Sequence, residues 1–529
     1  MARDGELWDV VIVGAGAAGM LAALGVRAAA GGQQLRVGIV EKMPRPGRKI
    51  SASGGGRCNF TNTLEPRRFV ERFGRGGRFL GAALQAFPNR AIVELLGRHG
   101  VTGQVEQGYR LYTASGHGED VTQAVTAEVA AAGVELRLNA PVRALDWREE
   151  GFDVTVGGEG AASADGGSGG GPGPAVSAGP ETQAEGEHLR ARSVIIAVGG
   201  ASYPKLGSTG DGYTWARQFG HHVTALQAAL VGVCVAELAR CKQLQGLRVE
   251  GAAARLLRAG VKKPLASEPG DVLFAHFGLT GPALLDLSLA VVAALAEDAS
   301  AAGKLELGLD LWPELEAAVL RARLDEELKT LGAADRSRAF EAKWPKRLRK
   351  ALWQAADPAE AVAGAEPAGA AESTAANLSA TAGAVATAGA AAKIPGGDAE
   401  AAAKRAAEVL AAVRAGGRAE RGEIAEHQAL HPASRTPAAV REGFVRAVKD
   451  WRFTITGTRE LEVGEVTDGG VDLREVDKQT MMSKKRPGLF FCGEILDLTG
   501  RCGGFNLQAA WSTGFLAGRS AAAWLSKVT

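Results

Sequence analysis

Cysteine is scarce in this sequence and is not clustered. The chain of 529 residues has five cysteines, and none of them forms a C-x-x-C pair or a group with metal-ligand spacing: Cys58, Cys234, Cys241, Cys492 and Cys502. The pattern predicts neither a bound metal nor a disulfide framework. Free thiols are typical of a reducing compartment, so we expect a cytoplasmic protein.

The sequence also lacks an excess of charge of either sign. Lys and Arg number 61 against 59 Asp and Glu, which gives a formal net charge of +2. So small a charge creates no global field that would attract nucleic acid or an anionic membrane. We therefore expect neither as a partner.

A long apolar run is missing as well. The longest uncharged stretch, Ser373 to Ala392, consists mainly of Ala, Gly, Ser and Thr. It is too weakly apolar to cross a bilayer. A strand predicted from residue 8 onwards also leaves no room for a signal peptide before it.

The first chemical signal is a strand, a glycine-rich turn and a helix at residues 8–24. The apolar run 8–13 predicts a strand, and it enters a G-x-G-x-x-G turn made of Gly14, Ala15, Gly16, Ala17, Ala18 and Gly19. In this motif the glycines permit a tight turn, the approach of backbone to a diphosphate and close packing of helix on strand. The N–H groups at the helix start then face the anion.

A second predicted strand, residues 35–40, ends at Glu41. An acidic residue about 20 positions beyond the turn can accept hydrogen bonds from ribose hydroxyls. Glu41 argues against a 2′-phosphate at that point. The motif therefore predicts FAD or NAD rather than NADP.

A basic, glycine-rich loop follows this unit. We predict that Arg48 and Lys49 neutralise the diphosphate while Gly54 to Gly56 pass beneath it; the alternative is a flexible basic linker. The residues of this region assigned to the cofactor site are Lys42, Arg48, Lys49, Gly55, Arg57, Cys58 and Asn59. Cys58 is not assigned a catalytic role, because a small buried cysteine is more common than a reactive one.

Residues 191–200 predict a buried strand that ends in glycines beside the cofactor. We assign Ala197 and Gly199 to the cofactor site, together with Val142 from an earlier strand. Tyr203 and Lys205, in the next loop, are candidate substrate contacts, although most loop residues are structural. His276 is a candidate proton donor, but a lone histidine among apolar neighbours is usually structural. We assign no catalytic residue.

The C-terminal region predicts a strand that ends at Gly493 and Glu494, with Asp497 beyond it, and then a helix opened by a further group of residues: Gly503, Gly504, Phe505, Asn506 and Leu507. We assign all of these to the cofactor site. Glu494 would accept a ribityl hydroxyl, and the helix start would face the pyrimidine edge of a flavin. Positive potential at that edge stabilises reduced flavin.

Together these motifs resemble the BaiN-type bacterial NAD(P)/FAD-dependent oxidoreductases, which are two-dinucleotide-binding-domain flavoproteins. The resemblance rests on the motifs at residues 47–49, 53–59, 202–204, 273–282, 466–471 and 493–508. Phe505, where tyrosine is expected, and Asp468, where a small residue is expected, depart from the pattern. The resemblance implies FAD as cofactor and NAD(P)H as a candidate reductant. It fixes no substrate.

At this length the chain needs more than one core. The fold class we expect is α/β, a Rossmann-like FAD-binding domain interrupted by an insert domain that is β-barrel-like and helical. The FAD-binding domain comprises residues 1–225, with a low-complexity loop at 157–187, and residues 487–529. Between them we expect a β-rich insert at 226–312, a helical insert at 313–450 and a β-rich return at 451–486. Residues 355–403 lack large apolar side chains and are predicted to be disordered.

These features predict an FAD-dependent oxidoreductase, a reductase that transfers hydride from reduced flavin to an unsaturated small molecule. One alternative is a flavin-dependent RNA-modifying enzyme, against which the near-neutral charge counts. Another is a non-catalytic, flavin-bound redox sensor, which the absence of an obvious catalytic acid leaves open. No second G-x-G-x-x-G follows a strand, so NAD(P)H is the least supported part of the prediction. The oligomeric state stays open.

The first prediction concerns the cofactor that copurifies. The residues from Gly14 to Gly19, with Glu41, describe a site for adenosine diphosphate, and no His or Cys lies in a flavin-linkage motif. Acid precipitation should therefore release FAD into the supernatant, where chromatography identifies it. Recovery of FMN, or of flavin that stays on the precipitate, would contradict the prediction.

Overall fold

The computed structural model describes residues 7–106, 108–148, 151–157, 186–297, 301–357 and 432–528. The chain divides into two compact units, residues 1–311 with 452–529, and residues 312–451. Most of the predicted low-complexity loop at 157–187 and most of the predicted disordered segment at 355–403 lie outside the described residues. Lys404 to Ala415, whose composition predicts a helix, also lie outside them.

The strands are numbered in chain order. They are β1 (Trp8–Val13), β2 (Val37–Val40), β3 (Asn59–Asn62), β4 (Gly103–Glu106), β5 (Arg110–Thr113), β6 (Glu135–Arg137), β7 (Val142–Arg148), β8 (Gly151–Val156), β9 (Glu187–Ile196), β10 (Gln227–Ala229), β11 (Val233–Val235), β12 (Arg248–Arg258), β13 (Ala266–Ala275), β14 (Gly278–Thr280), β15 (Leu305–Asp310), β16 (Trp451–Thr458), β17 (Val466–Asp468) and β18 (Leu489–Phe491).

The α-helices are numbered in the same way. They are α1 (Ala17–Ala29), α2 (Arg48–Ala52), α3 (Pro66–Val70), α4 (Gly81–Ala86), α5 (Asn89–Arg98), α6 (Glu119–Ala131), α7 (Asp211–Gln218), α8 (Leu238–Gln243), α9 (Pro282–Glu297), α10 (Ala317–Leu331), α11 (Lys346–Ala356), α12 (Ala438–Lys449) and α13 (Phe505–Val528).

The centre of the first unit is a mostly parallel sheet with the order β6-β2-β1-β9-β8-β7. Strand β1 pairs in parallel with β2, from Val10 on Val37 to Val13 on Val40, and with β9 on its other side. The carboxyl-terminal half of β9 also pairs in parallel with β18. The carboxyl ends of β1, β2, β9 and β18 therefore meet at one edge, where ligands of open α/β sheets bind.

Helices α1 and α13 cross at very short distance above this sheet. A Cβ atom placed on Gly514 would lie 2.1 Å from the carbonyl oxygen of Ala18, and one on Gly518 would lie 1.9 Å from that of Ala22. Gly25 of α1 makes the reciprocal approach to α13. Only glycine permits this crossing, which places the start of each helix at the same edge of the sheet.

The insert contains a closed barrel with the order β11-β14-β13-β12-β15-β16. In β15, Leu305, Leu307 and Leu309 are fully buried, as expected for alternate residues that point into a barrel. Helix α9 packs against β12 and β13. The predicted α/β class with a β-barrel-like insert is thus confirmed. Two small sheets, β10-β17 and β3-β5-β4, complete the first unit.

The second unit, residues 312–451, is helical where it is described. Its core holds Phe444, whose ring centroid lies 4.2 Å from that of Trp353 and 6.0 Å from that of Phe340. Helices α11 and α12 approach closely, because a Cβ on Gly443 would lie 2.3 Å from the carbonyl oxygen of Ala356.

Some element boundaries differ from those predicted. Residues 79–99 predict one helical stretch, but α4 ends before Phe87 and α5 begins at Asn89. Proline disfavours helical backbone in the residue before it, and Phe87 adopts φ −144° before Pro88.

In the part of the chain that the structure describes, no helix combines the length and the apolar character that a bilayer span requires.

The second prediction concerns the crossing of α1 and α13. Gly518→Ala adds a methyl group against the backbone of Ala22, and overpacking of this kind costs roughly 1–3 kcal/mol. We expect a clearly lowered melting temperature, measured by differential scanning fluorimetry. The matched control is Gly97→Ala, since Gly97 lies in α5 with nothing within 4 Å of an added Cβ. The control should melt at or above the wild-type temperature, because alanine favours a helix more than glycine does. Equal melting temperatures of Gly518→Ala and Gly97→Ala would contradict the close crossing of the two helices.

Candidate active site

The candidate site is one cavity of about 620 Å³ at the carboxyl edge of the parallel sheet, within the first unit. Its volume falls in the range of roughly 300–1,000 Å³ typical of ligand and cofactor sites. It is lined by the ends of β1, β2, β9 and β18, the starts of α1 and α13, and residues 41–55. The barrel side contributes Leu230, Pro282, Leu285 and Glu465.

The start of α1 presents backbone to the cavity. Gly16 is the N-cap residue, and no side chain caps the first turn. The N–H groups of that turn have no acceptor within the helix. A Cβ on Gly16 would meet nothing within 4 Å, whereas one on Gly19 would lie 1.9 Å from the carbonyl oxygen of Gly14. The turn therefore has the shape and polarity that a diphosphate requires.

Glu41 lies at the end of β2 and is held by backbone donors. The N–H groups of Ala15 and Met43 donate to its carboxyl oxygens at 2.7 Å and 2.8 Å. Burial raises the pKa of Glu41, while these two hydrogen bonds and the nearby cations Lys42 and Arg48 oppose the rise. The carboxylate keeps lone pairs beside the cavity for a ribose.

Arg48 and Lys49, predicted to neutralise the diphosphate, and the neighbouring Lys42 differ in their partners. Lys42 donates to Asp211 at 2.6 Å and also contacts Thr209, and Lys49 donates to Glu494 at 2.7 Å. Arg48 lines the cavity and has no carboxylate within 4 Å among the described residues. Arg48 is therefore the cation best placed to pair with a phosphate.

Glu494 is the centre of a hydrogen-bond network. Besides Lys49, it accepts from the backbone N–H of Thr467 at 2.9 Å and from the hydroxyl of Ser202 at 3.1 Å. The side chains of Lys49 and Glu494 are 26% and 19% exposed, so solvent screens this pair only in part. The carboxylate predicted to bind a ribityl hydroxyl thus already joins three other segments of the chain.

The start of α13 is held against β3. A Cβ on Gly504 would lie 2.3 Å from the carbonyl oxygen of Thr61. With its amide oriented to satisfy its neighbours, Asn59 accepts from the Gly504 N–H at 3.0 Å. Glycine is required at 504 by the neighbouring strand backbone as well as by any flavin.

The cavity brings together most of the residues predicted to bind the cofactor. Those that line it are Gly14, Ala15, Gly16, Ala17, Ala18, Glu41, Lys42, Arg48, Lys49, Gly55, Asn59, Val142, Ala197, Gly199, Gly493, Glu494, Gly503, Gly504, Asn506 and Leu507. Those that do not are Gly19, Arg57, Cys58, Asp497 and Phe505. Gly19 supports the turn from behind, as its close approach to Gly14 requires.

Arg57 and Phe505 have partners within the protein and do not line the cavity. Arg57 pairs with Glu106 at 2.7 Å and lies 4.3 Å from the ring centroid of Tyr112. Phe505 is fully buried, and its ring centroid lies 5.0 Å from that of Phe69 and 6.0 Å from that of Tyr109. A phenylalanine at 505 therefore fills an aromatic cluster.

Asp497 and the candidate histidine also lie apart from the cavity. The backbone N–H of Asp497 donates to Val471 at 3.1 Å, and its side chain hydrogen-bonds to Thr224. His276 is exposed in the turn between β13 and β14, with its ring centroid 5.2 Å from that of Phe277. Neither residue is placed to contact a ligand in the cavity.

The cysteines are unpaired and poorly acidic. All five thiols are free, and burial raises the pKa of Cys58 and of Cys502 to about 12. Thiolate, the reactive form, is therefore scarce at neutral pH. Within the described ranges, no group of three or more His, Cys, Asp or Glu could hold a metal ion.

Several polar cavity residues were missed by sequence reasoning: Arg110, Tyr112, Glu465, Arg501 and Cys502. Tyr203, a candidate substrate contact, also lines the cavity, at the left-handed φ of +54°, whereas Lys205 does not. An arginine between aromatic residues in a strand, and an acid directly before the Val466-Thr467 motif, were the available signals. Neither is specific on its own.

The open sheet, the nucleotide turn, the ribose acid and the second helix start define an FAD-dependent oxidoreductase. The chain belongs to the HI0933-like family, since the model of the HI0933-like protein Rossmann domain matches residues 8–166 and 177–520.

Two curated relatives match almost end to end. The chain is 27% identical over 514 residues to the ribosomal RNA dihydrouridine synthase of Escherichia coli, covering 96% of each chain. It is 26% identical over 512 residues to the 3-dehydro-bile acid delta(4,6)-reductase of Clostridium scindens, covering 97% of this chain and 98% of the relative.

Solved structures are more distant. A 3-ketosteroid-delta4-(5alpha)-dehydrogenase from Rhodococcus jostii is 15% identical with a TM-score of 0.43, covering 99% of this chain and 98% of that one. A flavocytochrome c3 fumarate reductase is 15% identical with a TM-score of 0.42, covering 99% and 79%. Likenesses this distant support no inference about activity.

The third prediction separates two arginines that sequence reasoning treats alike. Arg48→Gln removes a cation from the cavity wall, and a charged hydrogen bond is worth roughly 1.5–3 kcal/mol. The Kd of the apoprotein for FAD, measured by quenching of flavin fluorescence, should therefore rise about 10- to 100-fold. Arg57→Gln removes the same charge outside the cavity and should leave the Kd within about twofold. Equal weakening by both variants would place the diphosphate elsewhere.

Proposed function

We propose that this protein is a reductase that saturates a carbon–carbon double bond conjugated to a carbonyl group in a small molecule. FAD bound in the cavity would supply the hydride. The observation that carries the proposal is Arg110, a buried guanidinium on the cavity wall. It is 7% exposed and has no carboxylate within 4 Å among the described residues.

A guanidinium in this position needs an electron-rich partner. Its side chain hydrogen-bonds to Tyr109 and Tyr112, but neither neutralises its charge. Burial of a charge without an ion-pair partner is costly, and a ligand oxygen that accepts a hydrogen bond from it offsets that cost. The oxygen of an unsaturated carbonyl compound suits this role, because negative charge develops on it when hydride adds to the β-carbon. Preorganised donors aimed at developing charge are a principal source of catalysis.

The names of the curated relatives support the same chemistry. One names a 3-dehydro-bile acid delta(4,6)-reductase and the other a dihydrouridine synthase. Uridine carries its reducible double bond in conjugation with a carbonyl, and a 3-dehydro steroid with a Δ4 bond does the same. The proposed reaction is the step that these two names have in common.

RNA is the second candidate substrate. The relative named as a ribosomal RNA dihydrouridine synthase favours it, at an identity almost equal to that of the bile-acid reductase. The net charge of +2 favours a small molecule, since RNA binding rests largely on contacts of cations with phosphates. A redox sensor without turnover is the third possibility.

NAD(P)H is proposed as the reductant on the family resemblance alone. A cytoplasmic location is proposed with it, because five free thiols suit a reducing compartment. Anaerobic mixing with NADH and NADPH, with photoreduction as the reference, tests the reductant. If photoreduction bleaches the flavin absorbance but neither NADH nor NADPH does, NAD(P)H is not the reductant.

The fourth prediction identifies the acceptor. Photoreduced protein should be reoxidised anaerobically by a cyclic enone, with a product two mass units heavier, and should be inert to the matched alkene without a carbonyl. The alkene lacks the oxygen that Arg110 would bind. Reoxidation by a ribosomal RNA transcript, with dihydrouridine in the product, would instead support the RNA candidate. If none of the three acceptors reoxidises the protein, the redox sensor is the remaining candidate.

A further inference from the structure

Glu465 stands on an anchored part of the cavity wall. Its backbone N–H donates to the carbonyl oxygen of Leu230 at 3.3 Å, and β17 begins at the next residue. Two positions on, the Thr467 hydroxyl accepts from the N–H groups of Ala201 and Ser202 at 2.8 Å and 3.1 Å. Glu465 thus directly precedes a short strand, and hydrogen bonds hold the chain in place both at Glu465 and at Thr467.

Around Glu465, carboxyl groups outnumber guanidinium groups. Three carboxyl groups, those of Glu465, Glu268 and Asp286, lie near two guanidinium groups, those of Arg110 and Arg501. Because acids outnumber bases here, the carboxyl groups repel one another when all are ionised, and this repulsion favours a shared or retained proton.

The hydrogen bonds indicate which carboxyl group retains that proton. Arg501 donates to Glu268 at 2.6 Å, so the Glu268 carboxyl group has a cationic partner within the protein. Asp286 accepts from the backbone N–H of Cys502 at 2.6 Å. Glu465 has no cation within 4 Å among the described residues, and only the more distant Arg110 favours its ionised form.

Desolvation acts in the same direction. Burial raises the pKa of Glu465, the charge of Asp286 adds to the rise, and Arg110 opposes it. By accessible surface Glu465 is exposed on the cavity wall, so water reaches its side chain there although protein atoms surround it closely. A ligand in the cavity would displace that water and strengthen the desolvation.

The other proton-bearing groups on this wall are weaker acids. Burial raises the pKa of Tyr112, of Tyr203 and of Cys502, the last to about 12. These groups start from reference values far above that of a carboxyl group. Among them, a protonated Glu465 gives up a proton most readily.

We propose that Glu465 is the proton donor of the reaction and that Arg110 binds the carbonyl oxygen of the substrate. This assignment rests on the proposed function. It gives the cavity a catalytic acid, the group whose absence from the sequence motifs left a redox sensor open.

The step balances as follows. Hydride from the cofactor forms a C–H bond at the β-carbon, and the electron pair of the double bond moves onto the carbonyl oxygen beside Arg110. The O–H bond of Glu465 then breaks, and its proton forms the second C–H bond at the α-carbon as the electron pair returns from oxygen. The substrate gains two electrons and two hydrogens, the cofactor loses two electrons, and Glu465 regains a proton from water.

The fifth prediction has a readout that needs no substrate. At pH 7 the infrared spectrum of the oxidised holoprotein should contain the C=O stretching band of a protonated carboxyl group. The band should persist in Glu462→Gln, the matched control, since Glu462 is exposed in the same segment and does not line the cavity. It should be weaker in Glu465→Gln at equal FAD content, because one protonated carboxyl group has been removed. A spectrum of Glu465→Gln that is identical to the wild type would overturn the assignment.

Half-reactions then test the role. Photoreduction of Glu465→Gln should match that of the wild type, but reoxidation by the cyclic enone should slow roughly 100- to 10,000-fold, the usual contribution of general acid catalysis. Glu465→Asp should recover part of the rate. The wild-type rate should fall as pH rises through the raised pKa, because the acid must be protonated, and Glu465→Gln should lose this dependence.

The outcomes separate the two proposals. If wild type and Glu465→Gln reduce the enone equally fast, Glu465 is not the donor although the proposed function stands. If the wild type reduces no conjugated carbonyl compound, the proposed function fails and the donor role fails with it. In that case the infrared band still reports whether Glu465 is protonated.

Discussion

The arrangement of the cavity walls depends on the hydrogen bonds and the ion pair made by the carboxylate of Glu494. It holds Lys49 from the loop after β2, Ser202 from the loop after β9 and the backbone of Thr467 before the return to the sheet. Lys49 and Glu494 are 445 residues apart in sequence. Because the pair is only partly exposed, its attraction exceeds that of a surface ion pair. One side chain thereby fixes the spacing between the nucleotide-binding turn and the barrel-side wall.

The close crossing of α1 and α13 fixes the spacing of the backbone groups that line the cavity. Each helix brings uncompensated N–H groups to the cavity, and their positions follow from contacts between backbone atoms rather than from side chains. Contacts of this kind leave little freedom, so the two helix starts keep a fixed separation. A dinucleotide that must bridge a diphosphate site and a pyrimidine site requires that separation to be constant.

Sequence reasoning succeeded where the signal is local. The β1-α1-β2 unit follows from a continuous motif, and β1 spans the predicted residues. It could not tell Arg48 from Arg57, because spacing does not show that Arg57 turns outward to Glu106. It also expected the residue at 505 near the flavin, although Phe505 packs into an aromatic cluster. Arg110 and Glu465 lie in no extended motif, and only the folded chain shows that they share a cavity.

The two ends of the cavity differ in how their polar groups are satisfied. At the cofactor end, Glu41, Lys42, Lys49 and Glu494 have partners within the protein, so their arrangement exists before any ligand binds. At the other end, Arg110 and Glu465 have no ion-pair partner within 4 Å among the described residues. Preorganisation favours tight binding of one fixed molecule, whereas charged groups without an ion-pair partner can be neutralised by a ligand. The cofactor end is therefore suited to holding FAD tightly. In the proposed reaction, the other end selects ligands by the oxygen that they present to Arg110.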